Sequence, residues 1–306
     1  MRPALVGLLL LVAGCTGGDG VPASVPSAES TAPPPTTATP PTTAPASALG
    51  PGRWTVRVDV DGVERSAVVV VPERLVPPVS LVLVFHGFAG SPEGAEERSG
   101  FTGLALDEGF VVAYPRGAGP IPAWRTSPFQ GDADVRFAET LVADLDARLP
   151  IDESRVYAAG MSNGGGMAGR LACDLSDVVA AVAPVAAAHP TAGCGPARPV
   201  PVVAFHALDD RIARYDGFGP LLVGIDDWAA AWADRNRCAT AGPDSTAVAD
   251  GVERLAWAGC EADVVLYRLL TGGHTWPGGD AAAGTAGIDL DATARMWSFF
   301  VEHPMP

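Results

Sequence analysis

Hydrophobic and polar positions alternate where the folded part of the chain begins. From Trp54 to Val60 every second residue is apolar, Asp61-Gly62 follows, and an apolar-rich stretch returns from Arg65 to Val71. Alternation on both sides of an Asp-Gly pair predicts a β-hairpin with one buried face. We therefore expect antiparallel strands at one edge of the fold.

Continuous apolar runs replace this alternation further along the chain. Such runs are typical of strands that are buried on both faces of a parallel sheet. They cover Ser80–Phe85, Phe110–Tyr114, Val156–Ala159, Val178–Val185 and Val200–Phe205. Two further strands are predicted around Cys260, at Arg254–Trp257 and Val264–Leu270.

Segments of helical periodicity lie between the apolar runs. In Asp132–Leu149, for example, Phe137, Leu141 and Leu145 recur at a spacing of four. The alternation of strands and helices predicts an α/β protein with a mostly parallel, doubly wound sheet and helices on both faces. The predicted helices are Glu93–Asp107, Asp132–Leu149, Leu221–Asn236 and Ile288–Val301.

The N-terminal region has the pattern of an export signal. Arg2 precedes a short apolar run, Ala4–Val12, which closes with the string LVAGC. This string resembles the lipobox of bacterial lipoproteins, which implies cleavage before Cys15 and lipidation of its thiol; the alternative is a plain secretory signal with a stray cysteine. The following residues are rich in Pro, Thr, Ser, Ala and Gly, which cannot form a core. We therefore predict a signal peptide over 1–14, a lipidated, disordered tether over 15–52 and one folded domain over 53–306.

Charge and composition narrow the class of function. The formal net charge of −15 argues against nucleic acid and anionic membranes as partners, so we expect membrane contact only through the lipid. Every basic residue is an arginine, which excludes a Schiff-base lysine, a P-loop lysine and a Ser–Lys dyad. We expect a monomer without metal or cofactor.

Four cysteines remain beyond Cys15. An even number in an exported chain indicates two disulfides, for which three connectivities are possible. The spacing favours local loops, and no C-x-x-C pair supports the rival interpretation of a zinc site. The favoured pairs are Cys173–Cys194 and Cys238–Cys260.

The stretch VYAAGMSNGGG, from Val156 to Gly166, carries the strongest chemical signal. An apolar strand enters a G-x-S-x-G turn at Ser162, and a segment that can start a helix follows. In a nucleophile elbow this turn is sharp and strained, and crowding requires small residues such as Gly160 and Gly164. The pattern predicts Ser162 as a nucleophile. It also predicts the Asn163 backbone N–H, at the start of a helix, as a donor to an oxyanion.

A serine nucleophile needs a histidine base, and the chain order Ser, acid, His restricts the choice. His86 precedes Ser162, and His189 lies before any acid that ends a following strand. His303 belongs to a terminal tail, whereas His274 follows a strand in a glycine-rich loop. We therefore predict His274 as the base.

The acid is expected at the end of the preceding strand, in the string FHALDD. Asp210 is our first choice and Asp209 the second. The loop after an early strand should supply another oxyanion donor, and His86-Gly87-Phe88 fits with the Phe88 N–H. His86 itself is interpreted as lining the substrate site, or as a core histidine that shapes the oxyanion hole.

These strings together resemble the secreted esterases of the polyhydroxybutyrate depolymerase and feruloyl/acetyl-xylan esterase group, carbohydrate esterase family 1. The matching strings are LVLVFHGFAGSPEG, VVAYPRG, RVYAAGMSNGGGMAGRLAC, AAVAPVAA, CGPARPVPVVAFHALDD and GGHTWPGG. The resemblance implies an α/β-hydrolase fold with Ser162, Asp210 and His274 as nucleophile, acid and base. The acid motif of the family is similar to F-H-G-x-x-D, which favours Asp210 over Asp209. This chain departs from it with Ala207 at the glycine and with arginines at 211 and 214.

The function expected on this basis is hydrolysis of carboxylic esters through an acyl-enzyme. Hydroxycinnamoyl or acetyl esters of polysaccharide and hydroxyalkanoate polyesters are the candidate substrates. Trp124 and Trp276 are candidates for an aryl or sugar subsite, with packing as the alternative. The rival functions are a non-catalytic binding module of the cell envelope with the same fold, and a lipase or peptidase.

Overall fold

The computed structural model describes residues 47–187, 193–218, 222–279 and 288–306. The predicted signal peptide, Cys15 and most of the predicted tether lie outside these residues. Leu49 is buried, and its N–H donates to the Arg148 carbonyl, so the folded contacts begin slightly before Arg53. Within the described ranges no helix has the length and apolarity that are needed to cross a bilayer.

The strands of the described residues join in one sheet. Their bounds are β1 (Gly52–Val60), β2 (Val63–Val71), β3 (Val79–Phe85), β4 (Val111–Pro115), β5 (Ile151–Met161), β6 (Ala181–Val185), β7 (Val202–Ala207), β8 (Asp244–Ala249), β9 (Val252–Ala256) and β10 (Val264–Leu269). Across the sheet their order is β1-β2-β4-β3-β5-β6-β7-β10-β9-β8.

The predicted hairpin forms one edge of this sheet. β1 and β2 pair antiparallel around Asp61 and Gly62, whose φ angles are 54° and 79°. Positive φ at both central residues matches the twist of the flanking strands, which is why Asp-Gly suits the turn. The six strands from β4 to β10 in the sheet order are parallel to one another. The predicted mostly parallel centre is therefore confirmed.

The opposite edge is also antiparallel, which the sequence did not predict. β9 pairs antiparallel with β10, and β8 pairs antiparallel with β9. The residues of β8 (DSTAVA) are almost all exposed, so they carry no alternating or continuous apolar pattern. An edge strand without a buried face has no hydrophobic periodicity from which it could be recognised.

The helices are α1 (Pro92–Ser99), α2 (Phe101–Glu108), α3 (Ala133–Asp146), α4 (Asn163–Asp174), α5 (Ile225–Arg235) and α6 (Ala292–Glu302), with a short 3₁₀ turn at Pro128–Gln130. The helix predicted over Glu93–Asp107 is two helices, because Gly100 adopts a left-handed conformation (φ 67°) that ends the first. The helix predicted from Leu221 begins at Ile225.

The helices cover both faces of the sheet. Residues of α3, α4 and α5 pack in one core, exemplified by Leu141, Met167 and Trp232. Residues of α1, α2 and α6 pack in the other core, where Phe101 and Phe300 are fully buried. The sheet is therefore the middle layer, and the carboxyl ends of its parallel strands meet at one edge.

Both favoured disulfides are present. Cys173, in the last turn of α4, pairs with Cys194, and Cys238 pairs with Cys260 in the turn between β9 and β10. Each bridge closes a local loop beside the core. The predicted pairing is confirmed, and paired cysteines fit an extracellular protein.

Candidate active site

Ser162 occupies a strained turn between β5 and α4. Its φ and ψ are 56° and −122°, a conformation that non-glycine residues rarely adopt. The turn is crowded: a Cβ at Gly160 would lie 2.4 Å from the Gly164 carbonyl oxygen, and one at Gly164 would lie 2.1 Å from the Phe85 carbonyl oxygen. Only glycine fits at both positions, and this is the geometry of a nucleophile elbow.

Backbone hydrogen bonds hold this turn in place. The Ser162 N–H donates to the Val185 carbonyl at 2.8 Å, and the Gly166 N–H donates to the Ser162 carbonyl at 2.9 Å. The side chain of Ser162 is half-buried and lines a cavity at the sheet edge. The first N–H groups of α4 lie directly behind it, where the helix dipole favours negative charge.

His86 directs the loop that follows β3. Its Nε2 accepts the Gly117 N–H at 2.9 Å, so Nδ1 carries the proton and donates to the Gly87 carbonyl at 2.7 Å. Burial lowers the pKa of His86 more than its backbone hydrogen bond raises it, which keeps the ring neutral. Both ring nitrogens therefore hold backbone groups, and the ring shapes the loop beside the serine.

This loop lies against the turn of Ser162, and Phe88 and Ser162 line the same cavity. A Cβ at Gly87 would lie 3.6 Å from the Cβ of Ser162, so the two turns are in contact. The N–H groups of Ala89 and Gly90 donate to the carbonyls of Pro122 and Gly87. Among these three consecutive N–H groups, the Phe88 N–H is the one that no backbone carbonyl of the described residues accepts. It is thus the N–H that an oxyanion could use.

The Asn163 side chain anchors Trp124 rather than facing a ligand. Its Oδ1 accepts the Trp124 N–H at 2.7 Å, and its Nδ2 donates to the Trp124 carbonyl at 3.0 Å. Trp124 is buried, packs edge-on against Phe85 and donates its indole N–H to the His86 carbonyl at 2.9 Å. Trp124 therefore packs against the end of β3 and the loop that follows it.

Asp210 and His274 are hydrogen-bonded to each other in the candidate site. Asp210 Oδ2 accepts from His274 Nδ1 at 2.8 Å, while Oδ1 accepts the N–H groups of Ile212 and Ala213 at 2.8 and 2.9 Å. Burial of the carboxyl raises its pKa, but the hydrogen bonds from His274 and the backbone outweigh this and lower it overall. Asp210 is therefore a carboxylate at neutral pH, and it fixes the imidazole with its basic nitrogen at Nε2.

Asp209 has a different task. Its side chain is exposed, and Oδ1 accepts the Gly273 N–H at 2.8 Å. The two neighbouring carboxylates thus have different partners. Asp210 is hydrogen-bonded to the imidazole of His274, and Asp209 to the backbone of Gly273, the residue before His274.

Ser162 and His274 both line a cavity of about 360 Å³. Phe88, Met161 and Trp276 are among its other lining residues. Trp276 is buried and donates its indole N–H to Thr293 Oγ1 at 2.9 Å, so it forms a fixed wall of the cavity. Of the two predicted subsite tryptophans, Trp276 contributes to this cavity lining and Trp124 does not.

The sequence analysis missed Arg170, which holds the long loop after β4. This buried arginine of α4 donates from Nη1 to the carbonyls of Arg125, Ser127 and Gly131 at 3.2, 2.6 and 2.9 Å, and from Nε to Asp174. In the sequence, an arginine four residues before an aspartate is typical of an ion pair on the exposed face of a helix. No sequence signal therefore indicates that the Arg170 side chain is buried.

His303, the other histidine considered as the base, does not line this cavity. His303 follows α6 and contacts the Phe299 carbonyl and Asp263, while His189 lies outside the described residues. No group of three or more potential metal ligands occurs in the described part of the chain.

Comparison with known proteins gives sequence relatives that are named esterases. The chain is 33% identical over 210 residues to feruloyl esterase B of Piromyces equi, which covers 63% of this chain and 39% of that protein. It is 32% identical over 228 residues to a protein of Nocardia uniformis subsp. tsuyamanensis that is named as an esterase, NocK, which covers 65% of this chain and 66% of that protein. The matches thus span less than two thirds of the length of either relative. No protein-family model matches the sequence.

A solved structure shows the same fold. Acetyl xylan esterase from Aspergillus awamori superposes with a TM-score of 0.63 at 15% sequence identity, over 82% of this chain and 99% of that one. The predicted α/β-hydrolase fold is therefore confirmed.

Proposed function

Because the chain is related in sequence to a feruloyl esterase and shares the α/β-hydrolase fold of an acetyl xylan esterase, we propose that it is a serine esterase that hydrolyses carboxylic esters. One observation carries the proposal: Ser162 and His274 line the same cavity, and His274 is bonded to the buried Asp210. A serine, a histidine and an oriented carboxylate are the groups that acyl transfer requires.

The reaction has two halves. His274 Nε2 takes the proton of the Ser162 hydroxyl as the oxygen attacks the ester carbonyl, and Asp210 stabilises the imidazolium that forms. The N–H groups of Phe88 and Asn163 bind the oxyanion. His274 then protonates the leaving alcohol, and a water molecule, activated by the same imidazole, releases the acid from Ser162. No step requires a metal or cofactor.

For the substrate class, we favour hydroxycinnamoyl or acetyl esters carried by polysaccharide, with hydroxyalkanoate polyester as the third candidate. The names of the relatives support the first two. The cavity volume of about 360 Å³ is near the lower end for small-molecule sites, which suits an acyl group with the polymer left outside. Screening the purified domain against these three esters tests this choice.

The experiment that tests the esterase proposal compares wild type with Ser162→Ala on a short p-nitrophenyl ester. We expect turnover by the wild type and none by S162A, because the substitution removes one hydroxyl and leaves the fold intact. Equal hydrolysis by both proteins would contradict the assignment of Ser162. A wild type without hydrolysis on any ester would favour a binding module of the same fold.

Our proposal for the cellular location is an exported lipoprotein held by a lipid on Cys15, acting as a monomer without nucleic-acid partners. The LVAGC string and the net charge of −15 support it. Cys15→Ser should move the protein from the membrane fraction to the soluble fraction. A variant that still sediments with membranes would contradict the lipid anchor.

A further inference from the structure

One buried histidine beside the site has no part in the proposed chemistry. His206 lies on β7, and its side chain is 2% exposed. Its Nε2 lies 2.6 Å from the Ala213 carbonyl oxygen. Because a carbonyl oxygen can only accept, Nε2 carries the ring proton and donates it. Nε2 of His206 is therefore a hydrogen-bond donor to Ala213.

The bond from His206 closes a small loop around the catalytic acid. Ala213, which accepts from His206, also donates its own N–H to Asp210 Oδ1 at 2.9 Å. Ala213 is thus tied on one side to the strand and on the other to the carboxylate. The loop around Asp210 is held by these two contacts and by the bond from the Ile212 N–H to Asp210 Oδ1.

A second contact joins His206 to the same carboxylate directly. Nε2 lies 3.5 Å from Asp210 Oδ2, the oxygen that accepts from His274. At this distance the contact is a weak electrostatic attraction rather than a good hydrogen bond. This attraction still favours the orientation of the Asp210 carboxylate in which Oδ2 accepts from His274.

The surroundings of His206 favour the neutral imidazole ring. Burial lowers its pKa, and this exceeds the opposing effects of the Ala213 carbonyl and the Asp210 carboxylate. The other charged or titratable groups that face it are His274, the Tyr215 ring, which packs edge-on at 5.7 Å, and Arg268, its register partner on β10.

We propose that His206 is a positioning residue that acts through Asp210: its Nε2–H holds the Ala213 carbonyl and thereby keeps Asp210 Oδ2 directed at His274. This inference rests on the proposed esterase function. It adds a fourth side chain to the site, on a strand that supplies no reacting atom.

The test compares two substitutions at His206. Leucine removes the donor at similar volume, whereas glutamine places an amide N–H near the position of Nε2. We expect kcat of H206L to fall by up to about 10²-fold, the loss that a misplacement of roughly 1 Å causes in a catalytic constellation. KM should change little, because His206 does not line the cavity. H206Q should recover most of kcat.

The pH profile separates positioning from general damage. The imidazolium of His274 is stabilised by Asp210, so a misdirected carboxylate should move the acidic limb of kcat/KM to lower pH in H206L and not in H206Q. If H206L does not fold, H206N takes its place, since the shorter asparagine amide cannot reach the Ala213 carbonyl. Wild-type kcat in folded H206L or H206N would overturn the proposal.

His303 offers a matched control. It also contacts a backbone carbonyl at 2.6 Å and a carboxylate, Asp263, at 3.2 Å, but it does not line the cavity. H303L and H303Q should keep wild-type kcat and an unshifted acidic limb. A loss in H303L equal to that in H206L would show that any broken histidine contact suffices, and would also overturn the proposal.

A readout without substrate keeps this inference distinct from the esterase proposal. The ¹H NMR resonance of the Asp210–His274 hydrogen bond should move upfield or broaden in H206L and be retained in H206Q and H303L. An unchanged resonance in H206L overturns the positioning role. Absence of ester hydrolysis by the wild type would instead overturn the proposed function, whatever the resonance shows.

Discussion

The two halves of the candidate site are held by different forces. On the nucleophile side, Ser162 sits between Gly160 and Gly164, where carbonyl oxygens leave no space for a Cβ. On the acid–base side, Asp210 and His274 belong to loops, and side-chain hydrogen bonds fix their geometry. Steric crowding is indifferent to charge, whereas the hydrogen bonds depend on which atoms carry protons.

This difference indicates how each half should fail. The nucleophile side should tolerate changes of pH and fail on the addition of one carbon atom. The acid–base side should tolerate changes of volume better and fail on isosteric changes of one polar atom. The following predictions test this division, from the largest expected effect to the smallest.

Asp210→Asn should give the largest loss from an isosteric change. An amide at Oδ2 cannot accept the His274 Nδ1–H in the required tautomer, so we expect kcat to fall by about 10⁴-fold, as in the protease triad. Ester hydrolysis by the purified variant measures this. The neighbouring Asp209→Asn is the control and should keep most activity. If the two variants exchange these behaviours, Asp209 is the acid.

Gly164→Ala should damage the fold itself. Its Cβ would lie 2.1 Å from the backbone oxygen of Phe85, and a strand backbone cannot move away cheaply. We expect a loss of several kcal/mol in the free energy of unfolding, at the upper end of what single substitutions cause. Denaturant titration measures it.

Gly103, in α2, provides the control for Gly164→Ala. A Cβ at Gly103 meets no atom within 4 Å, and alanine is preferred to glycine in a helix by about 0.5–1 kcal/mol. Gly103→Ala should therefore leave stability unchanged or raise it. Equal destabilisation by both variants would contradict the role of crowding at the nucleophile turn.

Stability should depend on pH through Asp210. Its folded-state pKa is lowered, so the carboxylate stabilises the fold above the unfolded-state pKa of about 3.9, and this stabilisation is lost as pH falls through the lowered folded value. The difference in unfolding free energy between wild type and Asp210→Asn should therefore be constant near neutral pH and shrink in acid. Denaturant titrations at several pH values measure it. A difference that grows in acid would contradict the sign of the shift.

Asp209→Ala should have a small effect that Asp209→Asn lacks. Alanine removes the acceptor of the Gly273 N–H, whereas the asparagine Oδ1 can still accept it. Loosening the residue before His274 should lower kcat by a few-fold, well below the ~10²-fold cost of a full 1 Å misplacement. Equal activity in the two variants would show that this bond does not position His274.

Most of what the sequence revealed has a local signature, whereas Asp210 and His274 were predicted from the chain order of the triad and from the family resemblance. The G-x-S-x-G turn, the hairpin at Asp61-Gly62 and the buried strands each follow from residues within a few positions of one another. Strand β8 was missed because it has no buried face. The contacts of Arg170 and His206 were missed because their partners lie in distant loops or are backbone carbonyls, which leave no trace in residue type.

The chemistry of the Arg170 anchor has a consequence for how this protein can diverge. All three acceptors that Arg170 finds in residues 125–131 are main-chain carbonyls, which every residue type possesses. Side chains of this loop can therefore be exchanged while its path over the helix stays the same. Phe129, which is 85% exposed at the 3₁₀ turn, is a position where drift would alter the surface and leave the scaffold intact. A lineage could thus sample new surface chemistries in this loop without rebuilding its support, provided that Arg170 is kept.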